Sequence, residues 1–406
     1  MPYPNTATYL DRYAHSMMGV FGRPKTVLTR GEGCYVWDAD GNRYLDLLAG
    51  IAVNALGHGH PALIEALSNQ AASMIHVSNF FATPPQIELA EKLLTVAGAP
   101  KGSAVFFANS GSEAVEAAIK LSRRTGRTGL VAAESAFHGR TMGALALTHK
   151  HAYREPFAPL IPSVTHVPLN DEAALRAAVT SDVAALFLEP IQGEAGVVAA
   201  DPAYLQLARE LTRATGTLLV IDEVQTGVGR TGTWFAFQQS GIVPDAITVA
   251  KGLAGGVPIG ALVTFGPDVS GLLTAGQHGS TFGGNPLAAA AGLAVLDTVD
   301  KDGLLAHATS VGNHLADSVA ALSHPLILGV RGTGLLRAIV LSADVSVVVA
   351  DRALAAGFII NAPTPDALRL TPPLVITTGQ IDAFVAALPT LLDGLAEPSD
   401  ATAGST

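Results

Sequence analysis

LLVIDEVQTGVGRTG (residues 218–232) and ITVAKGLAGGVPIG (residues 247–260) enclose the part of the chain on which its fold depends. The first stretch begins with four apolar residues that lead directly into Asp222. In the second, a mostly apolar run leads into Lys251. Short apolar runs bounded by turn residues are typical of buried parallel strands. Ligands of open α/β sheets bind beyond the carboxyl ends of such strands. We therefore expect Asp222 and Lys251 to lie in one ligand site.

An acid and a lysine at two strand ends indicate a particular chemistry. A lysine amine can form a Schiff base with pyridoxal phosphate, and an acid can hold the pyridine nitrogen protonated. Gly252, Gly255 and Gly256 leave backbone space beside the lysine amine. Each of the two residues also has an ordinary structural interpretation. An aspartate at a strand end often caps a helix or forms a turn, and a lysine is usually solvated.

The composition is that of a large globular protein. Its 406 residues suffice for two or three domains, and 49% hydrophobic against 14% charged residues indicates extensive burial, partly between subunits. No apolar run approaches the ~18–20 residues of a membrane helix, and the first residues lack the regions of a signal peptide. The single cysteine, Cys34, excludes an internal disulfide and a cysteine-rich metal site. With a net charge of −10, we expect a cytoplasmic protein that binds neither membrane nor nucleic acid.

Predicted strands alternate with helices through the middle of the chain. The strands are residues 104–108, 130–133, 184–188, 218–221, 247–250 and 261–265, and the helices include 113–124 and 202–214. This alternation predicts a mostly parallel sheet covered on both faces. We expect four segments: an N-terminal arm and hairpin belonging to the small domain (1–60), a large domain (61–299), a C-terminal small α+β domain (300–396) and a disordered tail (397–406).

The first of three further motifs joins a predicted strand to a helix at residues 107–113. Ser110 and Glu113 have the spacing of a capping box. Gly111 and Ser112 would then offer free amide groups at the positive end of the helix, which suits a phosphate. Simple capping explains the same spacing.

The second and third motifs lie in loops. Phe137 follows the strand at 130–133, where an aromatic ring can stack on a flat cofactor, and Arg140 can hold a carboxylate with two hydrogen bonds. A core phenylalanine and a surface arginine are the alternatives, and His138 stays unassigned. Ser280 and Thr281 lie among glycines just before a helix and can donate hydroxyl groups to phosphate, although a flexible turn has the same composition.

Three charged residues complete the candidates. Glu189 ends an apolar strand and so points to the same edge of the sheet, and Glu194 lies on the loop that follows. Arg369 stands alone in an apolar run, and a buried arginine must be paired. A substrate carboxylate is one possible partner, and a protein carboxylate such as Glu194 is another.

Two other patterns do not indicate sites. Residues 227–232 satisfy G-x-G-x-x-G, but five residues separate them from the strand, and Asp245 comes too early for a nucleotide fingerprint. His58 and His60 have no third ligand at a sensible spacing, so we expect a turn there and no metal site.

The chain resembles the fold-type I, class III (ornithine-type) pyridoxal-phosphate aminotransferases from about residue 5 to residue 395. Within them it is most similar to the acetylornithine aminotransferases of arginine biosynthesis. The resemblance is carried by the stretches FFANSGSEAVEAAIKLSR, AFHGRTMGALALT, FLEPIQGEAGVV, DEVQTG, AKGL, GSTFGGNP and LRLTPPL. It implies a large domain with a mostly parallel seven-stranded sheet, a smaller α+β domain and a homodimer with shared active sites.

The resemblance also implies residue roles. Lys251 would carry the cofactor, Asp222 would pair with its pyridine nitrogen, and Phe137 would stack on its ring. The other cofactor-binding residues would be Gly111, Ser112, Glu223, Val224, Gln225 and Thr281. Arg140 would hold the acetylornithine α-carboxylate, with Ser280 also at the substrate. Ser280 and Thr281 would reach across from a second subunit. Arg369 would hold the α-carboxylate of glutamate or 2-oxoglutarate, with Glu194 as its alternative partner.

The implied reaction moves the δ-amino group of N2-acetylornithine to 2-oxoglutarate and gives N-acetylglutamate 5-semialdehyde and glutamate. Ornithine, succinylornithine and 4-aminobutyrate are alternative amino donors. An aminomutase of the same fold and a non-catalytic binding module are alternatives of other classes.

Overall fold

The computed structural model describes residues 5–395, and the tail predicted to be disordered lies outside this range. Its strands are β1 (Leu28–Glu32), β2 (Tyr35–Asp38), β3 (Arg43–Asp46), β4 (Ala104–Ala108), β5 (Gly129–Ala133), β6 (Val164–Val167), β7 (Val183–Leu188), β8 (Ile191–Gln192), β9 (Val198–Ala199), β10 (Leu218–Asp222), β11 (Ala246–Val249), β12 (Gly260–Thr264), β13 (Ile327–Thr333), β14 (Leu336–Leu341), β15 (Phe358–Ile359), β16 (Asn361–Thr364) and β17 (Ala367–Leu370).

The helices follow the same order along the chain. They are α1 (Thr6–Ser16), α2 (Ala49–Ala52), α3 (Pro61–Ser73), α4 (Pro84–Val96), α5 (Gly111–Arg123), α6 (Met142–Leu147), α7 (His151–Arg154), α8 (Glu172–Ala178), α9 (Pro202–Thr215), α10 (Pro267–Ser270), α11 (Pro286–Lys301), α12 (Leu304–Ala321), α13 (Ser346–Ala355) and α14 (Thr378–Leu392). Among residues 5–395, none of these helices combines the length and apolarity needed to cross a bilayer.

The core of the fold is a seven-stranded sheet in the order β4-β12-β11-β10-β7-β5-β6. Only β12 runs antiparallel to its neighbours, so the prediction of a mostly parallel sheet is confirmed. Strands β7, β10 and β11 are fully buried, as continuous apolar runs predict. Because β10 and β11 are parallel neighbours, Asp222 and Lys251 leave the sheet at one edge.

Two four-stranded sheets, one antiparallel and one in which β15 runs parallel to β3, involve both ends of the chain. Strands β13, β14, β17 and β16 form one of them, and β17 carries Arg369. In the other, the predicted N-terminal hairpin of β2 and β3 lies between β1 and β15, so residues 28–46 share a sheet with residues 358–359. The domain boundaries at residues 60, 299 and 396 stay predictions.

One turn near the N-terminal sheet has an unusual backbone. All four residues of α2 have positive φ angles, including the β-branched Ile51 at 65°. This region is costly for residues other than glycine, at about 1–2 kcal/mol each. Asp46 Oδ1 accepts the amides of Leu48 and Ala49 at 3.1 and 2.8 Å and fixes the entry to the turn. Val53, which follows this turn, lines the cavity that also contains Asp222 and Lys251.

Candidate active site

Asp222 is the last residue of β10, and its buried carboxylate is held on both sides. Oδ1 accepts hydrogen bonds from Thr248 Oγ1 at 2.9 Å and from the Val224 amide at 3.0 Å. Oδ2 accepts from His138 Nδ1 at 2.7 Å. Three donors and little exposure keep this carboxylate in one orientation at the carboxyl edge of the sheet.

His138 is fully buried, and its protonation follows from its neighbours. Burial alone would lower the pKa of its imidazole. The hydrogen bond and negative charge of Asp222, with a contribution from Glu189, outweigh burial and raise that pKa. Its Nε2 atom has no hydrogen-bond partner among residues 5–395. The pKa of the imidazole that faces Asp222 is therefore raised above its ordinary value.

Lys251 follows β11 with a backbone φ angle of 44°. A residue with a side chain adopts this left-handed conformation at a cost of about 1–3 kcal/mol, and such strain is found chiefly at functional sites. Desolvation lowers the pKa of its amine from 10.5 to about 8. The positive charge of Arg369 adds to that shift, while Glu194, Asp222 and Glu189 oppose it. A substantial neutral fraction near pH 7–8 suits a nucleophile or a base.

Both side chains line one cavity of about 350 Å³, a size that suits a small ligand. The lining combines Asp222 and Lys251 with an aromatic residue, a helix N-terminus and an apolar wall. Its predicted members are Gly111, Ser112, Phe137, Glu189, Glu194, Asp222, Val224, Gln225 and Lys251, and its other members include Val53, Asn109, His138, Val257, Pro258 and Ile259.

The helix N-terminus in this lining belongs to α5. Ser110 Oγ caps it by accepting the Glu113 amide at 3.2 Å. Gly111 and Ser112 lie in the first turn, where amide groups have no carbonyl four residues earlier in the helix. The predicted capping box forms only in part, because Glu113 Oε2 reaches one residue further, to the amide and side-chain nitrogens of Asn109 at 2.9 and 2.8 Å.

Glu194, which lines the cavity, forms an ion pair with Arg369, which lies outside the lining. Arg369 Nη1 donates to Glu194 Oε1 at 2.6 Å and lies 3.3 Å from Gln225 Oε1, and Nη2 donates to Asn361 Oδ1 at 2.7 Å. Arg369 is 1% exposed, whereas the Glu194 side chain is 37% exposed. Burial would raise the pKa of Glu194, but the charge and hydrogen bonds of Arg369 lower it. The buried cation is therefore covered by an anion that has access to solvent.

Comparisons with known proteins agree with this geometry. The family profile "Aminotransferase class-III" matches residues 20–392. A protein named acetylornithine aminotransferase from Mycobacterium tuberculosis is 55% identical over 388 residues, or 96% of this chain and 97% of the relative. A second of that name, from Streptomyces coelicolor, is 53% identical and covers 95% of this chain and 96% of its own length. The chain belongs to the class-III aminotransferase family.

Solved structures place this aminotransferase among enzymes of the same fold. The crystal structure of ornithine aminotransferase from Toxoplasma gondii superposes with a TM-score of 0.91 at 30% identity, covering 96% of this chain and 95% of that one. Acetylornithine aminotransferase from Elizabethkingia anophelis superposes with a TM-score of 0.84 at 31% identity, covering 96% and 99%. The predicted family, fold and pyridoxal-phosphate dependence are thereby confirmed.

The lining of the aminotransferase cavity fits pyridoxal phosphate. The free amides at Gly111 and Ser112 suit its phosphate, and Phe137 suits its ring. Asp222 offers an anion for the pyridine nitrogen, and Lys251 offers a partly neutral amine for the aldehyde. Gly111 also allows close packing, because a Cβ there would lie 2.9 Å from Val224 Cγ1. Among residues 5–395, no cluster of three acidic, histidine or cysteine side chains could hold a metal.

Glu223 is the predicted cofactor residue that the structure turns away from this cavity. Its fully buried carboxylate accepts the Phe237 amide at 2.7 Å and the Thr226 hydroxyl, and desolvation raises its pKa to about 7. Successive residues of an extended chain point to opposite faces, so Asp222 and Glu223 cannot both enter one site. The Glu223 carboxylate is thus bonded to its own loop, and its predicted cofactor contact stays a prediction.

Four other predicted residues lie outside the lining, and one of them is Arg369, whose ion-pair partner Glu194 does line the cavity. Arg140 follows the lining residue Gly139, and its guanidinium carbon lies 3.5 Å from the centre of the Tyr153 ring. Ser280 Oγ accepts from Asn109 Nδ2 at 3.1 Å and from the Gly283 amide at 3.0 Å, so this hydroxyl is occupied within its own chain. Thr281 is exposed.

Sequence reasoning misses the shell around Asp222. It assigns no role to His138, which holds Asp222, and it treats Thr248 only as part of a strand. Glu189 lies at this edge of the sheet as expected, and its Oε2 accepts the Phe137 amide at 3.0 Å. Desolvation raises the pKa of Glu189 to about 8, despite His138 and Lys251 nearby. The position of His138 beside Phe137 after β5 is the signal that could have found it.

Proposed function

We propose that this aminotransferase transfers the δ-amino group of N2-acetylornithine to 2-oxoglutarate, as a step of arginine biosynthesis in the cytoplasm. The observation that carries the proposal is one cavity lined by Lys251, Asp222 and Glu194, whose carboxylate is paired with the buried Arg369. The names of relatives 53–55% identical over nearly the whole chain support the choice of donor.

The two arginines divide the carboxylates of the two substrates between them. Arg140 beside Phe137 would hold the α-carboxylate of acetylornithine. Once Glu194 has released Arg369, the arginine would hold the α-carboxylate of 2-oxoglutarate. The ion pair is needed while acetylornithine is bound. Glu194 then neutralises the charge of Arg369, so the carboxylate of acetylornithine binds to Arg140 and not to Arg369.

Pyridoxal phosphate, when bound, supplies an aldehyde that accepts the amino group and a cationic ring that withdraws electrons from the carbon losing its proton. Asp222 would keep the ring nitrogen protonated, because a nearby anion raises the pKa of a base. Lys251 Nζ would take the proton from the substrate carbon that bears the amine and pass it to the cofactor carbon that receives the amino group, a role that its lowered pKa permits.

A comparison of four amino donors tests the proposed substrate. We expect kcat/KM for acetylornithine to exceed that for ornithine by roughly 10- to 100-fold, which corresponds to a desolvation cost of about 1–3 kcal/mol. Val53, Val257, Pro258 and Ile259 form an apolar wall that tolerates an amide better than the α-ammonium group of ornithine. Steady-state rates with acetylornithine, succinylornithine, ornithine and 4-aminobutyrate make the comparison.

Omission of 2-oxoglutarate provides the control for that experiment. A transaminase stops after one turnover without its acceptor, whereas an aminomutase continues. A preference for ornithine or 4-aminobutyrate, or sustained turnover without 2-oxoglutarate, would contradict the proposed function.

We also propose a homodimer in which Thr281 completes the phosphate site of the partner subunit. Thr281 is exposed and does not line the cavity of its own chain. Beside it, Phe80, Phe81 and Phe282 are 91%, 66% and 58% exposed, and Asn79 Nδ2 donates to the Ser280 and Gly283 carbonyls at 3.1 Å. An exposed apolar surface of this kind suits a subunit interface.

Subunit mixing tests the dimer. We expect Lys251→Ala, which should be inactive alone, and Thr281→Ala, which should be weakly active alone, to give more activity after co-refolding than the sum of the two. A mixed dimer contains one site with an intact lysine from one chain and an intact threonine from the other. Light scattering measures the mass of each sample. A monomeric mass, or activity equal to the simple sum, would contradict a shared site.

A further inference from the structure

One carboxylate on α5 holds the loop that carries Phe137 and Arg140. Glu116 Oε1 accepts three hydrogen bonds: from Thr141 Oγ1 at 2.6 Å, from the Gly143 amide at 2.8 Å and from the Ala144 amide at 3.1 Å. The two amides belong to the first turn of α6, where a helix has no acceptor of its own. Thr141 is the N-cap residue of α6 but makes no side-chain capping bond. The N-terminus of α6 is therefore capped by another helix.

A second anchor lies one turn earlier on the same face of α5. Ser112 precedes Glu116 by four residues, a spacing that puts both side chains on one side of the helix. Ser112 Oγ accepts the amide of Arg140 at 3.3 Å. Two side chains of one helix thus hold the loop on both sides of Thr141.

The loop has a glycine opposite each anchor. A Cβ at Gly139 would lie 2.3 Å from Ser112 Oγ, and a Cβ at Gly143 would lie 2.2 Å from Glu116 Oε2. Both distances are far below a normal contact. A side chain at either position would therefore displace the anchoring Ser112 or Glu116 side chain, and at Gly139 the φ angle of 136° adds backbone strain.

The consequence concerns the donor carboxylate. The first turn of α5 lines the cavity, and Phe137 and Gly139 of the docked loop line it as well. Arg140 leaves this loop with its guanidinium carbon 3.5 Å from the Tyr153 ring centre and 5.6 Å from that of Phe137. We propose that Glu116 is a positioning residue for the donor half-reaction, which fixes Arg140 relative to the phosphate end of the cavity. This inference rests on the proposed role of Arg140 as the donor carboxylate site.

Glu116→Ala and Glu116→Gln separate positioning from charge. All three hydrogen bonds end on Oε1, so the amide oxygen of glutamine can accept them, whereas alanine cannot. We expect Glu116→Ala to raise the donor KM, measured with acetylornithine, roughly five- to thirtyfold, because the competent loop is populated less. We expect kcat and the acceptor KM to stay unchanged, Glu116→Gln to restore most of the donor KM, and Thr141→Val to give a smaller loss. Glu210→Ala, an exposed glutamate on α9, is the matched control.

Hydrogen exchange of the cofactor-loaded enzyme provides a readout that does not depend on the substrate. The amides of Gly143 and Ala144 should exchange faster in Glu116→Ala than in the wild type, Glu116→Gln and Glu210→Ala. If the wild type uses another amine, the proposed substrate fails, and the donor KM is then measured with that amine instead. Unchanged exchange, or a rise in the acceptor KM equal to that in the donor KM, would overturn the positioning role.

Discussion

Lys251→Ala should abolish turnover while the protein folds and still takes up the cofactor. The variant loses both the amine that attaches the cofactor and the base that moves the substrate proton, so we expect kcat to fall by roughly 10³-fold or more. The cradle at Gly111 and Ser112 and the ring of Phe137 are untouched and should retain the cofactor without a covalent bond. In the wild type, borohydride should abolish the absorption of the cofactor attached to the lysine, and the variant should lack this borohydride-sensitive absorption. Stopped-flow measurements of each half-reaction report the loss of the base.

Two controls make this result specific to Lys251. Lys101→Ala removes an exposed lysine and should leave all rates unchanged. Added methylamine should restore part of the activity of Lys251→Ala, because a small amine can replace the missing base within the cavity. Near-normal turnover of Lys251→Ala without added amine would contradict the assignment.

The features that sequence could predict are those set by local pattern. Continuous apolar runs located β7, β10 and β11 to within a residue at each end, because burial on both faces leaves no room for polar side chains. Asp222 and Lys251 follow such runs, so their common edge of the sheet was predictable as well. In contrast, β1 escaped prediction, since LTRGE is polar and alternates between exposed and half-buried positions.

The features that sequence could not predict depend on distant contacts. His138 and Asp222 are 84 positions apart, and the bond between them depends on how the loop after β5 folds back. The hydroxyl of Ser280 meets Asn109 across 171 positions. The position of Glu223, by contrast, was within reach, because the alternation of an extended chain already separates it from Asp222.

Asp222→Asn should keep the fold and lose most of the activity. An asparagine oxygen can accept from Thr248 Oγ1 and the Val224 amide, as Oδ1 does in the wild type. Its amide group can donate to His138 Nδ1 once that imidazole is neutral. In the wild type, the charge of Asp222 raises the pKa of His138 against the effect of burial. Without that charge, burial lowers the pKa of His138, so we expect its imidazole to be neutral in the variant. The variant therefore removes one negative charge and preserves the hydrogen bonds.

Without the charge of Asp222, the pyridine nitrogen of the bound cofactor would lose its proton in Asp222→Asn. The ring would then withdraw electrons less strongly. We expect kcat to fall roughly 10²- to 10³-fold, the effect of removing one group that stabilises developing charge in a buried site. The free energy of unfolding of Asp222→Asn should match that of the wild type. In Asp222→Ala it should drop by about 1–3 kcal/mol, because the buried His138 is left with no partner on either nitrogen. Wild-type kcat in Asp222→Asn would show that the carboxylate serves only to hold His138, and the electron-withdrawing role would have to be given up.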